Sequence, residues 1–162
     1  MATTIRPDYV ELRCRSAFSF LDGASLPEDL VAAAASGDHD TLALADRDGV
    51  YGAPRFFAAA RKTGLRPIVG AEISLAAGAA PVLLLVEDRR GYQNLCQLIT
   101  TAKAGRQKSD SVNASLDLLA AHAGGLTVLA GAAPRADLPA LCDVFGRDIG
   151  RASCRERVFR TV

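Results

Sequence analysis

The sequence predicts an α/β fold in which parallel strands alternate with helices. Three observations carry this reading. Short apolar runs such as TLALA, PIVGAEI, VLLLV and LTVLA recur along the chain, and near-continuous apolar strands are the kind that a parallel sheet buries on both faces. Segments with helical spacing and helix start and stop signals stand between most of these runs. At 162 residues, 49% of them apolar, the chain is long enough for one domain with a sizeable core and too short for two comfortable ones.

Taken in order, Tyr9–Arg15 (YVELRCR) alternates and predicts a first strand. Ser25 and Glu28 have capping-box spacing: the Ser25 hydroxyl can accept from the Glu28 N–H while Glu28 reaches back. The helix that follows runs through LVAAAA and stops near Gly37. Thr41–Ala45 is a short buried strand. Pro54 suits the first turn of a second helix, with Phe56, Phe57 and Ala60 on its apolar face and Gly64 at its end. Pro67–Ile73 and Val82–Val86 are the third and fourth strands. Leu95, Leu98, Ile99 and Ala102, at i, i+3, i+4 and i+7, mark a long helix. Gly105–Asn113 is a polar loop and Ser115–Ala123 a short helix, followed by Gly124-Gly125. Leu126–Ala130 is a fifth strand and Leu138–Phe145 a last helix. The pattern leaves open whether the sheet stays open or closes, and five strands are fewer than a barrel of this kind usually uses.

Charge excludes some classes of function. The formal net charge is +1 and 23% of residues are charged, which is neither a basic nucleic-acid arm nor an acidic tail. Arginine outnumbers lysine 16 to 3, in keeping with the codon usage of a GC-rich genome. No apolar run approaches the roughly 20 residues that span a bilayer, and MATTIRPDYV lacks the apolar core of a signal peptide. A cytoplasmic protein is therefore expected, with Cys14, Cys96, Cys142 and Cys154 reduced. No CxxC pair suggests a structural zinc site.

Ionisable residues gather where the predicted strands end. Arg13 and Arg15 close the first, with Asp22 in the loop beyond; Asp46, Arg47 and Asp48 follow the second; Glu72 lies in the third; Glu87 and Asp88 follow the fourth. In parallel α/β folds chemistry collects at the carboxyl ends of strands, so one polar site built from four strand ends is expected. Solvation of strand ends by charged residues is the plainer alternative. Asp22, Asp46 and Glu72 could serve as ligands or acid–base groups. Histidine is scarce: His39 falls in a loop and His122 late in a short helix. Arginine stays protonated and has no free lone pair, so it cannot replace imidazole on a metal. Three arginines beside three carboxylates predict an ion-pair network rather than a metal cage. No GxSxG, P-loop or GxGxxG motif offers another chemistry.

The segments YVELRCRSAFSFLDGAS, LALADRDGVYGAPRFFAAARKTGLRPIVGAEI and VLLLVEDRRGYQNLCQLIT together resemble the polymerase-and-histidinol-phosphatase (PHP) domain, in the form found at the N-terminus of bacterial C-family DNA polymerases. FSFLDGAS and GYQNLCQLIT are similar to the error-prone branch of that family. The resemblance implies part of a distorted (β/α)7 barrel. It also implies a larger parent that synthesises DNA in replication and damage-tolerant repair, with the rest of the polymerase chain, DNA, and replication or repair proteins as partners, and no membrane. Intact members bind zinc, manganese or magnesium and hydrolyse phosphoesters. Asp22, Asp46 and Glu72 fall on retained ligand positions. Arg13 and Arg15 stand where the family has a His-x-His pair, Arg47 where it has the histidine of Asp-His, and Pro81 where another histidine is expected. The expectation is a degenerate metal site with no cofactor and no catalytic residue in this segment, and a mainly structural role. A free-standing metal-dependent phosphoesterase and a protein- or DNA-binding module are the alternatives.

The resemblance sets a partial PHP domain over residues 1–148. Residues 149–162 are then a tail without resemblance to the family. Its IGRASCRERV looks like an in-frame translation of a sequencing adapter, so a sequence artefact or a disordered end is expected there, with a basic arm for nucleic acid as the alternative.

Overall fold

A computed structural model describes residues 9–76, 79–105, 112–129, 138–146 and 149–150. The elements are β1 (Glu11–Cys14), α1 (Pro27–Ser36), β2 (Thr41–Arg47), α2 (Ala53–Thr63), β3 (Arg66–Ile73), β4 (Val82–Val86), α3 (Arg89–Lys103), α4 (Leu116–Ala121), β5 (Leu126–Leu129), α5 (Leu138–Phe145) and β6 (Ile149–Gly150). They form a mixed α/β structure around one six-stranded sheet, with strands in the order β1-β2-β3-β4-β5-β6. A doubly wound sheet reverses its order at a switch point; this one runs straight through, as the wall of a barrel does.

The helices lie on one face. Leu42 and Leu44 of β2 pack with Val31 and Ala34 of α1 and Phe56 and Ala60 of α2. Ala71, Ile73, Val82, Leu84 and Val128 continue that face under Leu95, Leu98 and Ile99 of α3, Leu119 of α4 and Leu141 of α5. The opposite face carries a smaller cluster of Ala43, Ala45, Leu83, Leu85 and Leu129. Alanine dominates β2 on this second face, which suits the tight interior of a curving sheet.

Most helix boundaries follow their local signals. Gly64, at φ 77, ends α2 in the left-handed conformation. Asp88 caps α3 by accepting from the Gly91 N–H, and Ser115 caps α4 by accepting from the Leu118 N–H. The Ser25–Glu28 capping box does not form. Leu26 is the N-cap of α1 and Pro27 occupies the first helical turn, the position where proline's missing N–H costs nothing. The Ser25 carbonyl accepts from Ala17 instead, and Glu28 turns to Arg55.

Strand direction departs from an all-parallel sheet. β1, β2 and β3 are parallel, but β4 is antiparallel to both β3 and β5. Among the described residues no α-helix separates β3 from β4, and strands without a crossover helix between them pair antiparallel. Ile149–Gly150 add a sixth strand, parallel to β5, immediately beyond the boundary expected at residue 148. The rest of the tail, residues 151–162 with Cys154, lies outside the described residues.

Candidate functional site

β2 is longer than its apolar run: it extends to Arg47, so Asp46 and Arg47 lie within the strand instead of after it. Successive strand residues face opposite sides of a sheet. Asp46 therefore joins Leu42 and Leu44 on the helix side, and Arg47 joins Ala43 and Ala45 on the other. Across the ladder Arg47 stands opposite Glu72 of β3. The β1 register against β2 shifts between Glu11 and Cys14. Cys14 packs on the helix side, and Arg13 and Arg15, on either side of it, both reach Glu72.

Glu72 is the centre of the cluster, with a side chain only 5% exposed. Arg13 donates through Nε to Glu72 Oε2 at 2.7 Å, with its Nη2 at 2.6 Å from the same oxygen. Arg15 donates through Nη2 to Glu72 Oε1 at 2.6 Å. The second carboxylate, Asp22, sits in the loop after β1. Its Oδ2 lies 3.4 Å from Arg15 Nη1 and accepts from Arg47 Nη1 at 3.2 Å. Three guanidiniums and two carboxylates form one chain, Arg13–Glu72–Arg15–Asp22–Arg47. Arg15 Nε is buried and makes no hydrogen bond among the described residues, a cost that sets part of the pairing energy aside.

Asp46 is not part of this network. It is 1% exposed and takes its hydrogen bonds, among the described residues, from serines. Ser16 donates to it from the backbone N–H at 2.7 Å and from the hydroxyl at 2.9 Å, and Ser19 donates from its hydroxyl at 2.8 Å. The Ser19 hydroxyl also accepts from the Arg47 N–H at 2.9 Å. Asp46 thus ties the loop after β1 to the end of β2. Asp48 does a similar job further on. It accepts from the Ser74 N–H and hydroxyl and from the Val112 N–H, joining the end of β2 to the segments after β3 and α3.

The expected four-strand site shrinks to the ends of β1, β2 and β3. Because β4 runs antiparallel, its carboxyl end, with Glu87 and Asp88, lies at the far end of the sheet. There Glu87 accepts from Thr127 and Asp88 caps α3. The reversal brings Pro81, just before β4, to the near end, since Val82 pairs with Ile73. His39 packs edge-on to Tyr9 and His122 shares its Nδ1 with the Leu118 carbonyl at the end of α4. Among the described residues no group of three or more His, Cys, Asp or Glu is arranged to hold a metal ion.

Ser16 and Ser19 were given no role by the sequence. Both are buried, at 0% and 1% exposure, and the only hint of this is their spacing of three within SAFSFLDG beside an aspartate that ends an apolar run.

Residues 11–156 match the model of the PHP domain family. The chain belongs to the PHP domain family. Among curated relatives of this PHP chain, an error-prone DNA polymerase from Anaeromyxobacter sp. (strain K) is 44% identical over 165 residues, covering 94% of this chain and 14% of the polymerase. An error-prone DNA polymerase from Rhodopirellula baltica is 42% identical over 118 residues, covering 73% of this chain and 10% of that polymerase. The PHP chain thus spans about one seventh of the length of the Anaeromyxobacter protein. Among solved structures, an amidohydrolase from Chromobacterium violaceum matches with a TM-score of 0.57 at 17% identity, over 87% of this chain and 74% of its own. That likeness concerns the fold.

Proposed function

We propose that this chain is the PHP module of an error-prone DNA polymerase, in which an arginine–carboxylate network has taken the place of a metal centre and the module's role is structural. The similarity to error-prone polymerases along 94% of the chain supports the parent. The single observation behind the lost metal centre is Glu72 held between Arg13 and Arg15, with both its oxygens accepting from guanidiniums at 2.6–2.7 Å. A divalent cation at Glu72 would sit against two fixed positive charges, and the Pro81 side chain offers no lone pair. The donor set does not fit a metal cluster, and no catalytic step is routed through one. Primer extension in replication and repair then belongs to the polymerase body, which acts on DNA in the cytoplasm. No helix among the described residues is long and apolar enough to cross a membrane.

The competing reading is a free-standing phosphoesterase, which needs the cations that the arginines oppose. One experiment separates the two: incubation with excess zinc or manganese, desalting, elemental analysis, and an assay on p-nitrophenyl phosphate. Metal well below one ion per chain and no hydrolysis are expected. Two or three ions per chain together with hydrolysis overturn the proposal.

A further inference from the structure

The first turn of α3 breaks a charge rule that α1 and α4 keep. A helix start favours acidic side chains, because the backbone dipole leaves positive charge there. α1 opens with Glu28 and Asp29, and α4 carries Asp117 in its first turn. α3 opens with Arg89 and Arg90 and has no acidic residue in its first turn. α2 also has an arginine near its start, but Arg55 is paired with Glu28. Arg89 and Arg90 are exposed, and their guanidiniums have no ion-pair partner among the described residues. The two carboxylates before them are engaged elsewhere: Asp88 accepts from the Gly91 amide and Glu87 from Thr127. The fold nevertheless positions this turn. A Cβ at Gly124 would stand 3.3 Å from the Arg90 guanidinium carbon, so the guanidinium lies over that glycine. Asn94 Nδ2 donates to the Gly124 carbonyl at 2.7 Å and ties the glycine turn to the helix. Tyr92 and Gln93 extend the same exposed surface.

We propose that Arg89 and Arg90, with Tyr92 and Gln93 beside them, form a contact for the phosphate backbone of DNA. This rests on the reading of the chain as a polymerase module, whose body holds the DNA. Unpaired guanidiniums at a helix start cost stability, and local conflicts of this kind collect at functional sites. Arginine's planar fork matches phosphate oxygens in pairs, and tyrosine and glutamine are further donors to phosphate. The helix amides are not the attraction, because Asp88 already caps them. An acidic protein fits less well. Protein interfaces centre on buried apolar anchors, and Tyr92, 37% exposed, is the one exposed large hydrophobic between Arg89 and Cys96. Two phosphate contacts bind weakly alone. Attachment to a body that grips the same DNA raises their effective concentration. This surface lies at the carboxyl end of the antiparallel β4, at the opposite end of the sheet from Glu72, so it draws on none of the arginines paired there.

The test uses a full-length chimera, with this chain replacing the matching segment of the Anaeromyxobacter polymerase, and compares it with R89Q/R90Q. Fluorescence anisotropy follows binding to a primer–template duplex between about 50 and 200 mM KCl. Each duplex phosphate contact contributes about 0.9 to the logarithmic salt slope. Losing two is expected to flatten the slope by about 2, so the parent's affinity falls roughly tenfold more than the variant's across that range. R89K/R90K keeps both charges and is expected to keep the parent's slope. The thermal midpoint of R89Q/R90Q is expected to be no lower than the parent's, because the charges removed oppose the helix dipole. A chimera that extends primers but gives parallel slopes overturns the DNA contact and leaves the polymerase reading standing. Parallel slopes together with polyglutamate binding that R89Q/R90Q abolishes assign the surface to an acidic protein and overturn the DNA contact equally. A chimera that extends no primer overturns the polymerase reading itself, and the DNA contact with it.

Discussion

Arg15 donates to Glu72 at 2.6 Å across 57 residues of sequence, joining the ends of β1 and β3 over the intervening β2. Arg13 takes the other oxygen of the same carboxylate. One glutamate is therefore shared by two guanidiniums at a point where three strands end. A buried ion pair of this kind need not add net stability, because desolvating its charges offsets their attraction.

Removing the carboxylate alone is a different matter. Glu72→Ala leaves Arg13 and Arg15 facing each other without their shared partner. Its cost is expected to be about 3 kcal/mol, the lower end for breaking a buried pair, since Arg13 is half exposed. An exposed change such as Arg61→Ala is expected to stay within about 0.5 kcal/mol. Urea denaturation measures both, and equal midpoints would show that the network is solvated and energetically idle.

Asp46 is expected to control the loop rather than the arginines. Asp46→Ala removes the acceptor for the Ser16 amide and for two buried hydroxyls, at a desolvation penalty of about 1–3 kcal/mol for each group left without a partner. Hydrogen exchange at the Ser19, Asp22 and Gly23 amides should accelerate well beyond that at β4. Asp46→Asn keeps one acceptor oxygen and should show a smaller effect. Unchanged exchange in the loop would mean that Asp46 does not anchor it.

Two glycines separate close packing from backbone strain. A Cβ at Gly91 would lie 1.8 Å from the Gly125 carbonyl oxygen. Gly91→Ala should therefore force α3 away from the start of β5 and cost about 1–3 kcal/mol or more, as overpacking does. Gly64 has open space around its Cβ direction but φ 77. Gly64→Ala should cost only the left-handed penalty of about 1–2 kcal/mol. Thermal unfolding of the two variants checks the order, and a Gly91→Ala variant as stable as the parent would contradict the packing described.

Glu28 is expected to titrate low. Its hydrogen bond from Arg55 Nε, at 2.7 Å, is the chief cause holding its carboxyl below the usual value. A carboxylate whose folded pKa is depressed contributes stability above the ordinary carboxylate range, and that contribution is lost as pH falls through the lowered folded value. Carbon-detected NMR titration should find the Glu28 carboxyl lower in the parent than in Arg55→Ala. Identical curves would show that the contact does not persist in solution.

Local pattern alone determined that this is an α/β chain, where most strands and helices fall, and which residue types crowd the strand ends. Apolar periodicity and helix stop signals act over a few residues, so a single sequence displays them. Arg13, Arg15, Arg47, Asp22 and Glu72 were all visible as candidates, and the structure joins them in one cluster. Tertiary structure decided the rest. β2 runs two residues beyond its apolar core, and pleat parity then sends Asp46 to the helix side and Arg47 to the other. A residue's face depends on where the strand lies in the sheet, which Thr41–Ala45 alone does not encode. β4 reverses because, among the described residues, no α-helix carries the chain back after β3, and that reversal moves Glu87 and Asp88 to the opposite end of the sheet while bringing Pro81 to the near one. Ser25 loses its cap because Pro27 takes the first turn of α1 and Arg55, 27 residues away, competes for Glu28. Each of these outcomes depends on contacts between residues far apart in sequence, and only the folded chain brings them together.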